Sequence, residues 1–376
     1  MHILIIKHGA LGDVVRTSYF ARPLKEKWGE RLRLSWLTAA AAMPLLRFNP
    51  AVDDIWTSFD DVRPFHFDHV FSLDDELPVL AGVSSLHSRN ITGAQLDGEG
   101  KPTYTADAAE WFDMGLLSRF GKAQADELKR RNQQGHAEIY EKIFDVQRTP
   151  PEFFGNPALI AWAREWVGAR RPVIGINPFA GGRWPAKELP KEELRKLVRC
   201  LLQGESPYGS DCHVVLLGAG ADLKRNSALA GEFSERRVRV AETDDSVLRL
   251  AAIIKQLDCL VTSDSLAMHL AISQKVNAVA FFAPTSAQEI DGFGLVEKVV
   301  STADDYCSYK RDASNDSITC QRILDAMLEV RRRVTIEEAS GRRTTVGMFH
   351  VEPEPAQTNL PSKGQIGLRD SGSRYP

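Results

Sequence analysis

At 376 residues the chain exceeds one ordinary core and suits two domains of about 150 residues each, with a remainder. Its 43% hydrophobic and 26% charged residues are the balance of a globular fold, which excludes a fibrous or wholly disordered chain. The net charge of -3 gives no general affinity for nucleic acid, and no apolar run approaches the roughly 18 to 20 residues of a membrane span.

The chain opens with the apolar run Ile3-Leu4-Ile5-Ile6, which is too short for a secretory h-region. The expected location is the cytoplasm, with peripheral contact at the inner face of the cytoplasmic membrane left open. That run reads as a buried strand, followed by a helix over 14–28 and a strand over 32–37, so a parallel sheet with helices on its faces is expected. A strand over 68–73 comes next. The pattern then loosens through Gly82, Gly93, Gly98 and Gly100, before helices over 108–120 and 126–144. Breakers at Thr149-Pro150-Pro151 and Gly155-Asn156-Pro157 place an interdomain linker at 147–157. The first domain is therefore 1–150 and the second 158–335.

In the second half, strands over 173–177, 212–217, 259–262 and 276–282 alternate with helices over 191–202, 222–233, 246–256, 265–273 and 318–333. This is the pattern of a second doubly wound sheet. Residues 336–376, rich in proline and glycine with little apolar periodicity, read as a disordered tail. The five cysteines are odd in number and lack a Cys-x-x-Cys pair, which argues for reduced thiols. Cys307 and Cys320 fall in a polar loop and are expected to be exposed.

Three loops carry residues suited to chemistry. Lys7-His8-Gly9-Ala10-Leu11-Gly12-Asp13 follows the first strand, with Gly9 and Gly12 allowing a tight turn beside the Asp13 carboxylate. Asp13 is either a helix-start carboxylate worth about 1 kcal/mol or a general base facing a ligand. Asp264-Ser265-Leu266-Ala267-Met268-His269 follows another strand. There Asp264 is placed as N-cap, Ser265 and His269 share a face, and the helix N-terminus favours a phosphate. In Arg183-Trp184-Pro185-Ala186-Lys187, Arg183 and Lys187 are either a solvated basic loop or diphosphate ligands. The cations Lys7, Arg16, Arg22, Lys25, Lys27, Arg31 and Arg33 read as a solvated face or as a surface for an anionic acceptor. No Asp-x-Asp or His-Glu-x-x-His occurs, so neither a metal nor another cofactor is expected. Gly9-x-x-Gly12 is also not a dinucleotide fingerprint, which disfavours an oxidoreductase.

These loops together resemble glycosyltransferase family nine, the heptosyltransferases of lipopolysaccharide core assembly. Lys7-x-x-x-Leu11-Gly12-Asp13-Val14 is similar to the family's N-terminal motif, with Asp13 on its catalytic base. Lys187 falls on the family's phosphate-contacting lysine. Asp264-Ser265-Leu266-Ala267-Met268-His269 and Ala283-Pro284-Thr285 resemble its Asp-Thr-Gly-x-x-His and Gly-Pro-Thr segments, with Ser265-Leu266 in place of Thr-Gly and Ala283 in place of glycine. The resemblance implies a GT-B architecture, two Rossmann-like domains facing across a cleft, with acceptor bound mainly by the first and a nucleotide-sugar donor mainly by the second. It further implies inverting, metal-independent transfer. Asp13 would be the base. Lys187, Ser265 and the helix starting at Ser265, with Arg183, Asp264, Leu266 and His269, would form the donor site, and Lys7, Gly9 and Gly12 the acceptor-side loop. ADP-heptose and a lipopolysaccharide core are the implied substrates, and another cell-surface glycan or glycolipid, anionic or not, stays open as acceptor. The alternatives are a catalytically silent sugar-nucleotide-binding protein and a Rossmann oxidoreductase.

Overall fold

The computed structural model describes residues 1–29, 31–180, 184–233, 236–243 and 246–340. Residues Met1–Arg333 form one compact unit that holds two six-stranded sheets. In the first sheet, β1 (His2–Ile6), β2 (Arg33–Leu37), β3 (Asp54–Trp56), β4 (His69–Ser72), β5 (Ile91–Leu96) and β6 (Pro102–Tyr104) lie in the order β3-β2-β1-β4-β5-β6. All pairs are parallel except β5 with β6. The second sheet contains β7 (Val173–Asn177), β8 (His213–Leu216), β9 (Val238–Val240), β10 (Cys259–Ser263), β11 (Ala278–Phe282) and β12 (Val296–Val300). Its order is β9-β8-β7-β10-β11-β12, parallel throughout. The two orders match, and each reverses direction beside its first strand. At such a switch point the loops leaving the strand ends splay apart and a ligand can enter. Lys7–Asp13 leaves β1, and the loops after β7 and β10 carry Lys187 and Asp264, so the candidate residues follow the topology. This is the GT-B arrangement of paired Rossmann-like sheets.

Strands β1, β7, β10 and β11 are read correctly because their apolar runs are buried on both faces. Several helices differ from expectation. The helix expected over 14–28 is two, α1 (Leu11–Ser18) and α2 (Ala21–Trp28). Pro23 has no N–H to give the Tyr19 carbonyl four residues back, and its ring crowds that carbonyl, so the helix restarts there. The helix expected over 126–144 is likewise two, α3 (Lys122–Arg131) and α4 (His136–Phe144). Between them the Asn132 amide accepts from Gln134 N at 3.0 Å and donates to Gln134 O at 2.8 Å, which offers the backbone a local alternative to the helical ladder. Over 108–120 only a 3-10 turn, Ala106–Ala108, and one short helix, Ala109–Phe112, form.

The loosened glycine-rich stretch contains strands β5 and β6. Gly93, at φ +114°, lies so close to β4 that a Cβ would fall 1.9 Å from Ser72 O, so only glycine fits. The helices of the second half are α5 (Pro157–Val167), α6 (Lys191–Gln203), α7 (Ala221–Gly231), α8 (Val247–Ile254), α9 (Leu266–Ser273) and α10 (Cys320–Ala339), and short helices Met43–Leu46, Phe59–Val62 and Leu77–Val83 lie in the first. Because α10 runs to Ala339, residues 336–339 are helical and not part of a tail, while 341–376 lie outside the described residues. Cys307 and Cys320 are buried, not exposed, and all five cysteines are free. Cys320 opens α10 and belongs to the same buried apolar cluster as Leu197, Leu201 and Ile323, which sequence polarity around it concealed.

One apolar cluster runs from Val14, Val15 and Tyr19 of the first lobe to Ala267, Leu270 and Ala271 of the second. Helices α1 and α9 pack directly on each other. Gly12 allows that approach: a Cβ there would lie 2.7 Å from the His269 ring. Polar bonds tie the same seam. Tyr19 donates to His269 O at 3.1 Å, His136 N to Glu289 O at 2.9 Å, and Ala137 N to Asp291 Oδ2 at 2.8 Å. Among the described residues, no helix is long and apolar enough to cross a membrane.

Candidate active site

The β1 loop is fixed from behind. Asp74, just past the end of β4, takes the Lys7 ammonium and the His8 N–H on its two oxygens, and Lys7 also reaches Leu73 O at 3.5 Å. Side-chain exposure is 10% for Lys7 and 3% for Asp74, so the pair is interior. Burial disfavours the Lys7 charge, but Asp74 and then Asp13 outweigh it and raise its pKa. The loop then enters α1, whose first turn carries Asp13. Asp13 Oδ1 forms an ion pair with Arg16 Nη2 at 2.8 Å, with 32% of the aspartate side chain exposed and 12% of the arginine. Burial would raise the Asp13 pKa, yet Arg16, followed by Lys7 and His269, holds it below the ordinary carboxylate value. Asp13 is therefore ionised at neutral pH and able to accept a proton.

Across the seam, Lys187 Nζ lies 2.8 Å from Asp264 Oδ2 and donates to Asp264 O at 3.1 Å. Asp264 does not cap α9 as expected. Ser265 occupies the N-cap position in extended conformation without a side-chain cap bond, while Asp264 pairs with Lys187. Ser265 Oγ instead lies 3.0 Å from Thr262 Oγ1 and accepts from Asn177 Nδ2 at 3.2 Å. The first N–H groups of α9, at Leu266 and Ala267, thus have no partner among the described residues. Leu266 stands at an ordinary helical position, so the missing glycine of the resembling motif introduces no strain there. Burial would raise the Asp264 pKa, but Lys187 and then His269 bring it down to about 2. Burial, followed by Arg16, lowers His269 to about 4, so its imidazole is neutral at pH 7 and its 4.0 Å approach to Asp264 is not an ion pair there.

These two regions meet. A cavity of about 340 Å³ is lined by Ala10, Gly12, Asp13 and Arg16 of the first loop and helix, and by Lys187, Asp264, Ser265, Leu266 and His269 of the second lobe. Its wall is completed by Trp111, Lys129, Trp184, Thr285, Ser286, Glu289, Ile290 and Tyr309. Of the expected site residues, Lys7 and Gly9 do not line it: Lys7 braces the loop from beneath, and Gly9 meets open space. Arg183 lies outside the described residues. The N-terminal cations do not form a free basic surface, since Lys7, Arg16, Arg22, Lys25, Lys27 and Arg33 each pair with a carboxylate.

Sequence reasoning missed Asp74, Trp111, Lys129, Glu289 and Tyr309. Asp74 had a signal, because it directly follows a strand that could neighbour β1. Of the others, Trp111 and Lys129 stand on helices and Glu289 and Tyr309 in loops, and their convergence is tertiary. Tyr309 donates to Glu289 Oε1 at 3.0 Å, and the Lys129 ammonium stands 4.0 Å from the Tyr309 ring centroid. Among the described residues, no group of three His, Cys, Asp or Glu side chains is placed to hold a metal ion.

The model of glycosyltransferase family 9 (heptosyltransferase) matches residues 121–318, more than half of the chain. The chain belongs to glycosyltransferase family 9. The matched span contains Lys187, Asp264, Ser265 and His269, while Asp13 precedes it. Among solved structures, a family 9 glycosyl transferase from Veillonella parvula DSM 2008 is similar at TM-score 0.68 and 16% identity, covering 88% of this chain and 97% of that one. ADP-heptose lps heptosyltransferase II of E. coli aligns at TM-score 0.63 and 17% identity over 89% of this chain and 100% of that one. E. coli heptosyltransferase WaaC with ADP-2-deoxy-2-fluoro heptose aligns at TM-score 0.56 and 14% identity over 90% and 100%, respectively. At such identities the likeness establishes the fold alone. No curated protein matches this chain. Family membership makes the protein a glycosyltransferase of the heptosyltransferase type.

Proposed function

We propose that the protein transfers a heptose from ADP-heptose to a hydroxyl of a lipopolysaccharide-core or similar cell-surface glycan, with inversion at the anomeric carbon and without a metal. The observation that carries this reading is the single cavity in which the Asp13 carboxylate of one lobe meets Lys187, Ser265 and the open start of α9 in the other. Asp13 takes the acceptor hydroxyl proton. The acceptor oxygen bonds to the anomeric carbon from the face opposite the diphosphate, and the carbon–oxygen bond to phosphate breaks with its electron pair. Lys187 and the Leu266 and Ala267 N–H groups meet the charge that develops on the departing diphosphate. Asp264 keeps Lys187 aimed, and neutral His269 adds no competing positive charge. The cavity suits the reacting sugar and diphosphate and lies at the small end of ligand pockets, so the nucleoside extends beyond it.

The test is ADP release from ADP-heptose with and without a heptose-accepting core glycan, run beside Asp13→Asn. Release that needs acceptor, and that falls by about 10² or more in Asp13→Asn while donor affinity is kept, is expected. Unchanged turnover in Asp13→Asn would reject the base assignment. Donor binding with no turnover in the unaltered protein would favour a silent binding protein, and turnover only with another sugar nucleotide would replace the heptose.

A further inference from the structure

We propose that Arg16 is a positioning residue for the transfer: it fixes Oδ1 of Asp13 and so presents Oδ2 alone to the acceptor hydroxyl. The inference rests on the reading of Asp13 as base. Three observations converge on it. Arg16 lies one turn beyond Asp13 on α1, and its closest approach to the carboxylate is Nη2 to Oδ1 at 2.8 Å, while Asp13 lines the cavity. The guanidinium carbon lies 5.5 Å from the Trp111 ring centroid, an aromatic wall of the same cavity that holds the fork in one orientation. Finally, Arg16 Nε is buried without a partner, so the arginine forgoes one hydrogen bond to direct Nη2 at Asp13.

The surrounding charges are defined. Lys7 from the end of β1, His269 from α9 and Asp264 from the β10 loop face Asp13, while Glu289, Tyr140 and Asp264 face Arg16. His269 is neutral above about pH 4, and Lys7 is already bound by Asp74, so Arg16 is the strongest positive influence on Asp13. In the reaction the acceptor O–H proton moves to Oδ2, the acceptor oxygen bonds to the anomeric carbon, and the diphosphate leaves with the bonding pair. Throughout, the Oδ1 contact with Arg16 stays in place. A planar, two-pronged cation can do this, whereas a lysine supplies the charge without the fixed geometry.

The experiment is kcat/KM against pH for the wild type, Arg16→Gln, Arg16→Lys and Asp13→Asn. In Arg16→Gln the acid limb should rise by about one pH unit or more, because a half-buried carboxylate that has lost its nearest cation binds its proton more readily. In Arg16→Lys the limb should stay near the wild-type position while kcat falls by about tenfold from misorientation. An unmoved acid limb in Arg16→Gln beside an inactive Asp13→Asn overturns the Arg16 role and leaves the base assignment standing; an active Asp13→Asn overturns both. If Arg16→Gln melts early, Arg16→Lys decides, and wild-type kcat in it overturns the proposal.

Discussion

The two lobes place the same pair of residue types, a lysine and an aspartate, beside a strand-loop-helix turn, and use it in opposite ways. In the first lobe Lys7 and Asp74 lie beneath the loop, side chains 10% and 3% exposed, and the cavity does not touch them. In the second, Lys187 and Asp264 are 17% and 18% exposed and form part of the cavity wall. The helix starts differ to match. Neither helix has a side-chain cap bond, but α1 carries the Asp13 carboxylate in its first turn, whereas α9 has no acidic residue there and leaves its N–H groups open. One turn therefore repels an anion and offers a base, and the other attracts an anion. The contrast shows how a repeated fold acquires two chemistries by moving an ion pair from behind a loop to its face.

Breaking the interior pair should have the largest effect. Asp74→Ala leaves Lys7 buried without its carboxylate and frees the His8 N–H, and should lower stability by about 3 to 5 kcal/mol, read as the denaturant midpoint. A loss under about 1 kcal/mol would mean that Lys7 finds water and that the pair is not a brace. Breaking the pair in the cavity wall should cost function more than fold. Lys187→Ala removes one charge-assisted bond to the diphosphate and should weaken ADP binding by about 1.5 to 3 kcal/mol, measured calorimetrically, with the melting temperature lowered less than in Asp74→Ala. Equal ADP affinity in that variant would end the comparison between the two pairs.

How much of this was legible follows from what each feature depends on. Strands β1, β7, β10 and β11 are short apolar runs bounded by polar loops, and a buried parallel strand needs nothing more. The loops at their ends inherit their positions from the sheet, so Asp13, Lys187, Ser265 and His269 could be named in advance, and the structure brings them to one cavity. By contrast, Trp111, Lys129, Glu289 and Tyr309 reach that cavity from segments whose local sequence has no periodicity pointing there. The split between α1 and α2 was readable from Pro23 and was overlooked. The exchange of roles between Asp264 and Ser265 was not readable, because the Lys187 that pairs with Asp264 arrives from 77 positions away in sequence.

The remaining prediction concerns acid. His269 has its folded pKa lowered to about 4 from 6.5, so below 6.5 the unfolded chain takes a proton that the fold refuses, and stability falls as the pH drops from about 6.5 to 4. Asp264, depressed to about 2, acts in the same direction but lower: its contribution is complete above the ordinary carboxylate value and is lost as the pH falls towards 2. The two are therefore separable by pH. His269→Gln should make the decline between pH 6.5 and 4 shallower by up to one proton, or about 1.4 kcal/mol per pH unit, while leaving the loss below pH 4 in place. Urea midpoints at half-unit steps would measure it. An unchanged slope in the upper window would mean that the imidazole reaches solvent in the fold, and the second lobe's turn would then be as open to water at His269 as it is at Ser265.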